Sequence, residues 1–312
     1  MCMNIYDNAI IVNSKNWKSE ALSELKDKGV IVLRGIENNN NLNSINKKIS
    51  NVLKSPSILG SIGYYQKDPF KKLYDGFLLG NEVIKMVANK DLINIIETYV
   101  NDEIILNEIF VKYDLGTELI YFPYHRHTGT DIEGPVDKPF GCGSMIYLHD
   151  TEDGAFCYSL YSHNLPISKG AESVMAKHEN KIQLEANLHK VVGKKGDVII
   201  FDERGFHGPE QPSSNSRKVL LFGYQSKKST LNRSRTAIPV LISDLKGLNQ
   251  KQLSSIGIGG GTRGDYLNYH VRKGAAESKA YKQSSSLIKK IYSKEIKAFK
   301  LKKAIKSFFS NF

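Results

Sequence analysis

The sequence predicts a mainly β protein with flanking helices, built as a double-stranded β-helix or jelly roll. Six short runs read as strands: 109–113, 118–122, 144–148, 155–160, 198–201 and 219–224. They are rich in Val, Ile, Phe and Tyr and are punctuated by turn residues, and regular helices do not alternate with them. That pattern fits an antiparallel sandwich or barrel and disfavours a parallel α/β sheet. In addition, two polar, histidine-bearing segments fall at strand ends, where a barrel presents its site.

Each element has a local reason. Trp17, Ala21, Leu22 and Leu25 line one face of a helix over 17–28, with Ser14 or Asn16 as the cap and Gly29 as the stop. Val30-Ile31-Val32-Leu33 follows as a strand. Asn38 to Asn43 reads as a loop, and 42–53 as a second helix ending before Ser55-Pro56. Residues 60–80 read as a long loop with short pieces. Its Tyr64, Tyr65, Phe70, Tyr74 and Phe77 either roof a cavity or fill a core beneath an insertion. Residues 81–107 carry helical periodicity, broken near Lys90-Asp91, and Gly170 to Ala186 is read as a helical interruption among the strands. Four regions result: helical and loop support over 1–108, the jelly-roll core over 109–225, a cover segment over 226–286, and a basic amphipathic tail over 287–312.

Charge separates the tail from the body. The 312-residue chain has a formal charge of +12, of which residues 272–312 supply +10 and the preceding 271 only +2. A nucleic-acid partner is therefore not expected, because such a protein would more often carry the charge on its folded body. Cys2, Cys142 and Cys157 form no CxxC pair, so no disulfide framework is expected, and reducing cytoplasm is the natural compartment. The start shows no signal-peptide pattern, and no run approaches the roughly 20 apolar residues of a membrane span. Gly257 to Gly264 lacks the Lys-Ser or Lys-Thr of a phosphate loop and reads as a flexible loop.

Two stretches carry chemistry. Gly196-Asp197 turns into the apolar strand Val198-Ile199-Ile200-Phe201, and Gly205-Phe206-His207-Gly208-Pro209 follows at its far end. Arg217 precedes the strand 219–224, so two neighbouring antiparallel strands would present an imidazole and a guanidinium to one cavity. Upstream lies Tyr124-His125-Arg126-His127-Thr128-Gly129-Thr130-Asp131. Residues two apart on an extended segment share a side, so His125 and His127 point together, and Asp131 can return after a turn at Gly129. With His207 they form a pool from which iron could draw one face of its octahedron. The competing reading of this loop is polar surface. Arg126 faces either substrate or solvent.

These blocks resemble the phytanoyl-CoA dioxygenase-like branch of the iron(II)- and 2-oxoglutarate-dependent oxygenases, across about 20–225. Lys28 to Leu33 is similar to the family's opening strand, and Met145 to Ala155 to its strand, turn and "NGA/NGP" segment. Tyr161-Ser162-His163 stands where Pro-Gly-Ser-His is frequent, which makes His163 structural. Gly196 to His207 matches the distal strand and ligand, and Arg217 the residue that binds the 2-oxoglutarate tail. The chain departs at the proximal motif, where the family has His-x-Asp and this sequence has His125-Arg126-His127. Three solutions follow: His125, His127 and His207 as ligands; His125 or His127 with Asp131 and His207; or a site too altered to turn over. Zinc suits the same ligand types but brings no redox chemistry.

What the resemblance implies is a cupin-like barrel binding Fe(II) and 2-oxoglutarate. The implied activity is a dioxygenase that hydroxylates a small-molecule, lipid-like or carbohydrate-linked substrate. Halogenation fits less well, since His127 is bulky where halogenating relatives carry a small residue. The alternative is a binding or scaffold protein that keeps the barrel without turnover. The tail is expected to touch an anionic membrane surface, since Leu287, Ile288, Ile291, Tyr292, Ala298, Phe299 and Ile305 gather on one helical side among eight lysines over 289–306; the competing reading is a solvated helix docked on its own barrel.

Overall fold

The computed structural model describes residues 4–37, 39–54, 64–67, 70–74, 76–117, 122–128, 137–168, 170–228 and 245–256. Two sheets face each other. The smaller holds β1 (Asn4–Tyr6), β9 (Leu188–Gly193), β8 (Thr151–Ser159) and β11 (His207–Pro209), in that order. The larger runs β2 (Ala9–Ile11), β3 (Val30–Arg34), β10 (Val198–Asp202), β7 (Gly141–Tyr147), β12 (Arg217–Ser226), β6 (Ile104–Asp114), β5 (Phe70–Tyr74) and β4 (Tyr64–Lys67). Pairing is antiparallel except where β1 meets β9 and β2 meets β3. This is the jelly roll that the strand spacing predicts.

The alternation of side chains along each strand explains why the runs are apolar throughout. Ile199 and Phe201 of β10, with Met145 and Tyr147 of β7, enter the core between the sheets. Val198, Ile200, Ile146 and Leu220 point the other way, into a second core beneath the helices. Antiparallel strands often leave one face wet, and here helices cover it. Those helices are α1 (Trp17–Lys28), α2 (Asn39–Lys54), α3 (Asn81–Val87) and α4 (Lys90–Val100).

Local chemistry sets the boundaries. Gly29 ends α1 at φ 81°, and its amide donates to Leu25 O. Neither Ser14 nor Asn16 caps α1 through its side chain, because Asn16 is itself left-handed at φ 64°. The break in 81–107 comes at Ala88-Asn89, where the Asn89 side chain accepts from the amides of Asp91 and Leu92. That helical reading is too long by several residues: Asn101 closes α4, and β6 begins at Ile104. The expected helix over 170–186 is also cut down, to a single 3₁₀ turn at Met175–Lys177 and α5 (Lys181–Ala186). Residues 172–174 stay extended because they bond to the histidine segment.

Part of the stretch expected as loop is a hairpin, β4–β5, that extends the larger sheet. Its Phe70 lines a cavity, which favours the roofing reading for that residue; the side chains of Tyr64, Tyr65, Tyr74 and Phe77 lie outside the described residues. Residues 118–121 of the strand expected at 118–122, the glycine-rich segment and the tail lie outside them as well, and Phe122 is a bend. After 225, α6 (Gln250–Ser255) packs against α4 and β6, held by a capping box in which Asn249 and Gln252 bond reciprocally. No helix among the described residues is long and apolar enough to cross a membrane.

Candidate active site

The turn into β10 explains the Gly-Asp pair. Gly196 sits at φ 91°. Asp197 is buried, accepts the Lys194 amide at 2.7 Å and takes the Arg34 guanidinium on both oxygens at 2.9 and 2.7 Å. At the other end of β10, Asp202 accepts from Tyr99 Oη at 2.6 Å and from Arg204 at 2.7 Å. A Cβ on Gly205 would lie 1.9 Å from Tyr158 Oη, so only glycine lets the chain pass here. The Phe206 amide then donates to Ser162 Oγ at 2.9 Å, which sets His207 at the start of β11.

The histidine segment docks on that strand. His125 N donates to His207 O at 3.0 Å and His207 N to His125 O at 2.8 Å, while His127 N donates to Glu203 O at 2.8 Å. Extended backbone thus turns His125 and His127 to one side, as their spacing predicts. Between them Arg126 turns to the other side. It is buried, donates to the carbonyls of Glu172 and Leu165 and lies over the Phe206 ring, so it faces neither substrate nor solvent.

One nitrogen from each of His125, His127 and His207 lies within 4.8 Å of the others, a spacing that can hold a metal ion. The three ring centroids stand 4.6 to 5.6 Å apart. His125 Nδ1 is 3.2 Å from Pro123 O, and His207 Nδ1 is 2.9 Å from Gly205 O. A carbonyl accepts only from a protonated nitrogen, so each ring keeps an unprotonated Nε2 for a metal. Burial, reinforced by the neighbouring imidazoles, pushes His125 down to about 4 and His207 well below its ordinary value. Both are neutral near pH 7. Asp131 lies outside the described residues; His163 is buried elsewhere, with Nε2 3.0 Å from Lys26 O.

A cavity of about 160 Å³ opens beside the triad. Arg217 is the first residue of β12 and lines it, but the guanidinium and His207 do not come from neighbouring strands of one sheet. His207 belongs to the smaller sheet and Arg217 to the larger, so they meet across the barrel. Arg217 faces Asp114 in register and donates to its Oδ2 through Nε at 3.2 Å and Nη2 at 2.6 Å. Lys112 Nζ stands 3.0 Å from Asp114 Oδ1. Sequence reasoning missed Lys112, Asp114 and Glu203. A signal for two of them was present, since charged residues at 112 and 114 in an apolar strand must share a face. The remaining wall is largely apolar, with Phe70, Phe110, Phe122, Phe156 and Phe201.

The donor set fits Fe(II), since imidazole nitrogens are ordinary ligands for it and those of His125 and His207 are uncharged. Lys112 and Arg217 on the cavity wall fit a dicarboxylate such as 2-oxoglutarate.

The family model described as phytanoyl-CoA dioxygenase (PhyH) matches residues 25–219. Among solved structures, EctD from S. alaskensis with bound Fe is 16% identical, with a TM-score of 0.56 over 72% of this chain and 83% of that one. HygX from Streptomyces hygroscopicus with nickel and 2-oxoglutarate is 16% identical, with a TM-score of 0.50 over 74% and 94%. The α-ketoglutarate-dependent epimerase SnoN from nogalamycin biosynthesis is 11% identical, with a TM-score of 0.53 over 67% and 83%. Comparison of the sequence with curated proteins finds no match.

Proposed function

The chain belongs to the phytanoyl-CoA dioxygenase family and is an Fe(II)- and 2-oxoglutarate-dependent oxygenase, and on that premise we propose that it hydroxylates a small-molecule substrate with an apolar, lipid-like portion. The observation that carries the proposal is a single cavity joining three imidazoles, the cationic side chains of Lys72, Lys112 and Arg217, and an aromatic wall. His125, His127 and His207 would hold the metal, and Arg217, with Lys112 beside it, the remote carboxylate of 2-oxoglutarate. When bound, the pair would supply oxygen activation coupled to decarboxylation of 2-oxoglutarate to succinate and CO₂, with one atom of O₂ going to succinate and the other to the substrate C–H bond.

The residues prepare that chemistry in distinct ways. The neutral imidazoles of His125 and His207 offer lone pairs without first losing protons. Asp114 holds the Arg217 guanidinium in one plane, so its fork is oriented before an anion arrives. Phe156 and Phe201 pack at 5.9 and 4.7 Å from the His207 ring and keep water from that side. An apolar substrate portion would lie against the phenylalanines and present its carbon to the metal.

Anaerobic addition of Fe(II) and 2-oxoglutarate should give the weak visible charge-transfer band of the chelate. His207→Ala should abolish iron binding, whereas Arg217→Ala should retain it and weaken 2-oxoglutarate. Unchanged iron affinity in the His207 variant would defeat its assigned role. Metabolites that gain one oxygen with the wild-type protein, but not with the His207 variant, identify the substrate.

We also infer a cytoplasmic protein with peripheral contact to anionic membrane through 287–312. The support is compositional: eight lysines among apolar residues, and no cysteine framework.

A further inference from the structure

We propose that Glu203 is a positioning residue of the metal centre: it accepts a hydrogen bond from the Nδ1–H of His127, aims Nε2 at the metal, and gives the three-imidazole site a negative partner. The inference rests on the metal reading of the triad. The three rings differ in what they face through Nδ1. His125 and His207 each meet a neutral backbone carbonyl, whereas His127 Nδ1 stands 3.2 Å from Glu203 Oε2. This carboxylate is 1% exposed, and Oε2 makes no aligned hydrogen bond. A buried carboxylate oxygen without such a bond costs free energy, and this one faces the ring that the donor set needs.

The surroundings place Glu203 there. His127 N donates to Glu203 O at 2.8 Å, which ties the two backbones together and limits the side chains to one meeting point. Opposite, Gly223 of β12 and Gly143 of β7 pair in register, and a Cβ on Gly223 would lie 3.4 Å from Glu203 Oε1. A methyl group at Gly223 would therefore rest against the carboxylate, while the space over Gly143 is taken by the Phe201 ring. Three neutral imidazoles leave a divalent cation uncompensated, and a carboxylate one ring away supplies charge through the hydrogen bond. Carboxylate partners of metal-bound histidines typically raise metal affinity by 10- to 100-fold.

The test uses the full chain, metal-free and without 2-oxoglutarate, titrated anaerobically with Fe(II) or Co(II). Glu203→Gln keeps the shape and removes the charge, and should weaken binding by about 10- to 100-fold. Glu108→Gln, which removes another carboxylate on the cavity wall, should leave affinity within about twofold of wild type, an expectation from the direct, through-ring nature of the effect. Nitrogen NMR of the metal-free wild type should show the His127 proton on Nδ1. Wild-type affinity in Glu203→Gln, an equal loss in both variants, or a proton on His127 Nε2 would each overturn the role of Glu203. Failure of the wild type to bind either metal would overturn the metal reading as well.

Discussion

Lys112 shows how one residue couples charge, burial and function. Burial pushes its ammonium down to about 8, opposed by Asp114 and reinforced by Arg217. The lysine is therefore cationic below about pH 8 and loses its charge as pH rises through that value, well before an exposed lysine would. If it helps hold an anion, affinity for 2-oxoglutarate should fall as pH is raised from 7 to 9. Lys112→Met should bind 2-oxoglutarate more weakly at pH 7 and lose most of that pH dependence. Calorimetric titration of both proteins with Fe(II) present checks this. Asp114 sets the opposing limit, because it engages both cations and must share them with the incoming carboxylate.

Between elements, the site depends on how closely the β7, β10 and β12 strands approach. A Cβ on Gly143 would stand 2.1 Å from Phe201 Cζ, so the Phe201 ring lies directly over the glycine. The same ring packs 4.7 Å from His207. Gly143→Ala should therefore push the ring toward the triad and destabilise the fold by about 1–3 kcal/mol, the usual cost of overpacking. A lower denaturation midpoint together with weaker Co(II) binding is the expected result. A midpoint unchanged from wild type would show that β7 shifts to accommodate the methyl group.

For the whole molecule, the two-sheet architecture places chemistry in the body and charge in the tail. The barrel joins His207 from one sheet to Arg217 from the other, and helices close the outer face of the larger sheet. Residues 287–312 carry the basic excess and lie outside the described residues. Binding to anionic vesicles should be strong at low salt, weaker at physiological salt and absent after deletion of 287–312. Liposome sedimentation measures it. Undiminished binding after the deletion would defeat the membrane proposal and leave the oxygenase assignment untouched.

What the sequence determined by itself was whatever depends on neighbours along the chain. The strand run Val198 to Phe201, the helix stop at Gly29, the shared side of His125 and His127, and the jelly-roll class all follow from period, propensity and turn chemistry. Tertiary structure decided what depends on partners far apart in sequence. Arg126 is adjacent to two site histidines, yet only the packing of Phe206 and the Glu172 carbonyl turned it away from the cavity. Residues 64–67 and 70–74 became strands because the edge of β6 offered unpaired backbone groups to β5, a reason absent from their own glycine- and aromatic-rich surroundings. Glu203 lies four residues from His207 along the chain, and its meaning comes from a third residue, His127, brought to 3.2 Å by the docking of a separate segment. Side-chain period is a local property. The carboxylate, the imidazoles and the guanidinium converge only because two sheets pack face to face.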